Sequence, residues 1–124
     1  MTAPRNGPLE AAISSAMVSV VARHTGRGPT KARTTLGDDL VVCVMGATLT
    51  PGERTLAENG HDEVVLDGRR AYQSTMAAAA IEAVERLTSR TVAAFMSCNH
   101  IDPDLAAEVF VLVPAVVSTE GAPA

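Results

Sequence analysis

GRGPTKARTTLGDDLVVCV, residues 26–44, decides how this chain folds. Gly26 and Gly28 punctuate a turn, and Pro29 fixes its own φ and pushes the residue before it toward extended backbone. From Thr30 to Leu36 the side chains alternate, with Lys31, Arg33 and Thr35 on one face and Ala32, Thr34 and Leu36 on the other. A period of two predicts a half-exposed strand. Gly37-Asp38-Asp39 is turn chemistry. Residues 40–45 are continuously apolar, as a central strand covered on both faces would be. The pair reads as an antiparallel hairpin.

Upstream, Leu9, Ile13, Met17 and Val20 recur at helical spacing and predict a helix over 8–24. Asn6 is placed to cap it, Pro8 suits its first turn, and Gly26 suits a left-handed stop. Residues 1–7 read as a disordered start. Downstream, Thr50-Pro51-Gly52-Glu53 spells a helix start with a capping box, and Asn59-Gly60 a stop. A long helix follows over 62–88. Tyr72, Met76, Ala80, Val84 and Leu87 are expected on its buried side, with Arg69, Arg70, Gln73, Glu82, Glu85 and Arg86 in solvent. Residues 91–98 alternate again, 99–104 read as a loop, and 107–113 as a last strand, apolar on both faces. Residues 115–124 read as a mobile tail.

The order α-β-β-α-α-β-β predicts an α+β fold: two hairpins forming one four-stranded antiparallel sheet, with helices packed on one face. A chain of 124 residues carries one such domain, placed at 8–114. Hydrophobic residues make up 47% and aromatic ones 2%, so the core is aliphatic. The apolar strands leave one sheet face to be covered by a second copy, and a homodimer is expected. No run reaches the ~20 apolar residues of a membrane span, and residues 1–12 lack a signal-peptide core. A cytoplasmic protein without direct membrane insertion is expected. Cys43 and Cys98 read as buried free thiols.

Four separated pieces, residues 25–42 (TGRGPTKARTTLGDDLVV), 49–60 (LTPGERTLAENG), 69–76 (RRAYQSTM) and 99–112 (NHIDPDLAAEVFVL), resemble the MpsC-like family of small bacterial proteins. The resemblance covers residues 9–114. Ser89 departs from it, standing where a glycine is expected after the long helix. The resemblance implies association with a membrane-protein complex that couples cation translocation, and with it inorganic-carbon supply, to membrane potential. It implies no catalytic reaction and no cofactor.

The net charge of −4 disfavours nucleic-acid binding, and no aromatic residue interleaves with the cations. Yet Arg23, Arg27, Lys31 and Arg33 fall together with no carboxylate among them, the strongest candidate for docking an anion or an acidic partner. The plainer alternative is a solvated strand face. G-R-G-P-T lacks the spacing of a phosphate-binding loop. Asp38-Asp39 could ligate a divalent cation, but a hairpin turn explains the pair more simply. Asn99, His100 and Asp102 form a secondary polar loop. Cys98, His100, Asp102 and Asp104 alternate in the manner of metal ligands, yet Pro103 breaks the strand and no second ligand pair completes a site. His100 has no evident nucleophile beside it. The chain therefore reads as a non-enzymatic accessory module; the alternative is an anion sensor or weak enzyme using residues 23–33.

Overall fold

The computed structural model describes residues 7–115: α1 (Gly7–Thr25), β1 (Lys31–Leu36), β2 (Leu40–Gly46), α2 (Pro51–Glu58), α3 (Asp62–Thr88), β3 (Val92–His100) and β4 (Leu105–Leu112). The Asn6 cap, residues 1–6 of the expected disordered start and residues 116–124 of the expected tail lie outside the described residues. Gly7 belongs to α1.

The strands form one antiparallel sheet in the order β1-β2-β4-β3. The expected α+β architecture is the one observed. Each hairpin is local, and pairing of β2 with β4 joins them. The first hairpin closes through a 2.7 Å hydrogen bond from the Gly37 amide to the Leu40 carbonyl, leaving Asp38 and Asp39 as its two loop residues. Arg90, between α3 and β3, clasps this turn: it donates to the Asp38 carbonyl and the Asp39 carboxylate at 2.5 Å each and to the Val113 carbonyl at 2.8 Å.

α1 and α3 pack on each other and cover one face of the sheet, α1 over β1 and β2, α3 over β3. Val41, Cys43 and Met45 of β2 and Phe110 of β4 meet Ile13 and Met17 of α1 and Met76, Ala80 and Val84 of α3. Phe110 packs on Phe95 with ring centroids 5.0 Å apart. Gly28 lets the α1–β1 connection lie against the helix, because a β-carbon there would stand 3.3 Å from Val18.

α2 starts as its capping box requires. The Thr50 hydroxyl accepts from the Glu53 amide, and the Glu53 carboxylate accepts from the Thr50 amide at 2.8 Å. α3 ends on Ser89 in the left-handed conformation, φ 57°, at the position where glycine was expected.

Five expectations need correction. The buried side of α3 runs through Val65, Arg69, Gln73, Met76, Ala80 and Val84. Tyr72 stands outside it, and Arg69 and Gln73 inside. Met76, Ala80 and Val84 are buried as expected; only the first half of the stripe differs, passing through Gln73 and through Arg69, which pairs with the half-buried Glu53 of α2. Glu85 is half-buried, accepting the Val92 amide at 2.9 Å. Cys98 is exposed while Cys43 is buried, because they sit on opposite faces of the sheet. The expected loop at 99–104 is shorter: β3 continues through His100, and β4 begins at Leu105. Finally β4 is not apolar on both faces, because Glu108 lies on the covered one.

Candidate functional sites: an open sheet face, a cationic edge and a buried polar row

Strand register fixes what the uncovered face presents. One row across it reads Thr35, Val42, Val109, Met96 from β1 to β3; the next reads Arg33, Val44, Ala107, Cys98; the next Lys31, Gly46, Leu105, His100. Leu40, Val111 and Ala94 make a shorter fourth. The middle of this face is therefore aliphatic, and no carboxylate stands in any row. Leu40, Val44, Met96 and Leu105 are about two-fifths to half exposed, at 41%, 40%, 53% and 39%. One edge of the face is cationic and the other carries Met96, Cys98 and His100.

Three of the four candidate cations follow that first edge and the turn leading to it. Lys31 and Arg33 are exposed on β1, an edge strand. Arg27 is half-buried in the preceding turn, with its Nε enclosed and without a hydrogen-bond partner. Arg23 is exposed on the last turn of α1. Among the described residues none of the four forms an ion pair.

The secondary polar loop does not assemble. Asn99 and His100 point to opposite faces of β3, and Asp102 is exposed in the turn. His100 Nδ1 lies 2.8 Å from the Pro103 carbonyl. Arg33 and His100 share a face but stand at opposite edges and one row apart, about 16 Å from three strand spacings and two residues along the strand. Among the described residues no three His, Cys, Asp or Glu side chains group to hold a metal.

Asp104 is turned inward instead. Its carboxylate accepts the Thr48 amide and hydroxyl at 2.9 Å each and the Leu49 amide at 3.0 Å. Arg69, 3% exposed, donates to both oxygens of Glu53, through Nε at 2.9 Å and Nη2 at 2.5 Å, and to the Thr48 carbonyl. This network welds the β2–α2 junction to the β3–β4 turn and to α3. A hollow of about 420 Å³ opens beside it, walled by Arg54, Glu58, Asp62, Asp102 and Asp104. Four carboxylates against one guanidinium make it unfavourable for anions.

Under the helices a polar row crosses the covered face: Thr34, Cys43, Glu108 and Ser97, one from each strand. Ser14 of α1 meets Thr34 at 2.8 Å between hydroxyls. Glu108 is 5% exposed with no cation against it, and burial pushes its pKa from 4.5 up to about 7, a rise that Ser97 tempers. Ser97 Oγ and Glu108 Oε2 nonetheless lack hydrogen bonds of good geometry. Burial also raises the Cys43 thiol; Thr34 opposes that rise and Glu108 adds to it. Sequence reading overlooked Glu108, placed Arg69 in solvent and weighed Asp104 only as a metal ligand. The signal for Glu108 was there, as the one charge inside the apolar run 105–113.

No helix among the described residues is long and apolar enough to cross a membrane. No curated protein and no solved structure matches the chain. A family model does, over residues 5–113, under the description Na+-translocating membrane potential-generating system (MpsC). That match takes in the cationic edge, the buried Arg69 network and all four strands, and with it the chain belongs to the MpsC family.

Proposed function

We propose that this chain is a non-catalytic, cytoplasmic accessory module that docks on an acidic surface of a membrane system generating potential by Na+ translocation. Family membership supplies the system. The observation that carries the docking reading is the placement of Lys31 and Arg33: both are exposed on an edge strand and neither has a carboxylate partner among the described residues. Arg27 and Arg23 extend the charge around the same side of the fold. On a chain of net charge −4, such a segregated edge steers the chain toward an acidic partner.

The anion-sensor alternative requires these cations to converge with His100, but Lys31 and Arg33 stand at the opposite sheet edge from it, and none of the four cations lines the hollows beside Asp104, Arg90 or His100.

The test is co-purification with membranes that contain the Na+-translocating subunits, comparing wild type with the charge reversal Lys31→Glu plus Arg33→Glu. Wild-type chain should be retained at low salt and released as salt rises. The reversal should lower retention at least tenfold while leaving the fold intact by circular dichroism. Equal retention of both proteins, or none of the wild type, sinks the reading.

A further inference from the structure

Among the described residues nothing covers the second face of the sheet, and its dimensions and charge layout say what fits it. Four strands at a spacing of ~4.8 Å and about seven residues at ~3.3 Å give a footprint near 19 by 23 Å. Side-chain relief brings the accessible area into the range of about 600–800 Å² per partner, the lower half of what a stable pair of proteins buries. Soluble monomers rarely leave a contiguous apolar patch beyond a few hundred Å².

We propose that a second copy of this chain seats on that face, sheet against sheet, about a two-fold axis running parallel to the strands between β2 and β4. The face is rich in valine along β2 and β4 and free of carboxylates, so an identical face matches it in width and texture. The cations decide the orientation. An axis lying across the strands would stack each Arg33 edge over its copy. An axis along the strands sets β1 of one copy over β3 of the other, so that Thr35 falls over Met96, Arg33 over Cys98 and Lys31 over His100, with the long Lys31 and Arg33 side chains carrying their charges to the rim. The cationic edge then remains open to the membrane-system partner, so the dimer does not depend on the docking reading.

The arrangement places Arg33 opposite Cys98 of the second copy, across the ~10 Å that separates packed sheets. Sedimentation velocity on the full chain should give twice the 12.8 kDa chain mass. Val44→Asp plus Val109→Asp should halve that mass while circular dichroism stays unchanged. If that pair unfolds the chain, Met96→Glu on the exposed edge strand serves instead. A bis-maleimide of about 10 Å reach should leave wild type unlinked, because its exposed thiols lie a sheet width apart. It should link Arg33→Cys into a covalent dimer, and linking should vanish when Cys98→Ser is added. A monomeric wild type, a dimer indifferent to the open-face substitutions, or Arg33→Cys that fails to link through Cys98 overturns the proposal.

Discussion

At Glu108 a carboxyl is held where a carboxylate is costly. It is buried on a central strand with no cation beside it, and its pKa stands at about 7 against 4.5 for the free side chain. Between those values the native chain keeps a proton that the unfolded chain has lost. Stability is therefore greatest relative to an unperturbed acid below pH ~4.5, and it falls as pH rises through 7, by on the order of 3 kcal/mol in all. Glu108→Gln should flatten that fall in urea titrations between pH 5 and 8 and should be more stable than wild type at pH 8. A wild-type profile rising over that window, unchanged by the substitution, would refute the assignment. The sequence shows Glu108 as a lone charge in an apolar run. What it hides is the parity of the strand, since only pairing with β2 tells which face residue 108 takes. The same parity separates Cys43 from Cys98. Both lie in apolar stretches, and one is buried while the other is exposed.

At the scale of elements, the second hairpin, α2 and α3 are tied at one place. Arg69 satisfies both oxygens of Glu53 and the Thr48 carbonyl, and Asp104 holds the amides that follow β2. Removing Arg69 strands a partly enclosed carboxylate and a carbonyl. Arg69→Ala should lower the unfolding free energy by about 3–5 kcal/mol. Arg70→Ala, one residue along on the exposed side, should cost under about 0.5 kcal/mol in the same denaturant series. Equal costs at the two positions would show that the clasp contributes no stability. The capping box Thr50/Glu53 was plain in the sequence because both partners lie within four residues. Arg69 was misplaced in solvent because its partner is sixteen residues away on another helix. Helical spacing cannot separate a stripe starting at 72 from one starting at 73 when a buried arginine stands in it.

For the whole molecule, element order and composition were enough to reach one antiparallel sheet with helices on a single face. The open face was legible only as an excess of apolar strand residues, and its row-by-row content came from the register. The order β1-β2-β4-β3 has one more consequence, for what happens when many copies are crowded or warmed. A sheet has two selvedges, and here they are finished differently. β1 is hemmed by Lys31 and Arg33, charges that discourage a foreign strand from stitching on. β3 runs from Val92 to Asn99 without a charged residue, a raw border of backbone donors and acceptors. Aggregation on heating should therefore begin along β3. Ser97 and Phe95 face the core, but Ala94 points away from it, so Ala94→Lys should raise the temperature at which light scattering begins without shifting the unfolding transition. Thr35→Lys on the other selvedge should not raise that temperature, and a rise equal to that of Ala94→Lys would show that the bare border is not where fraying starts.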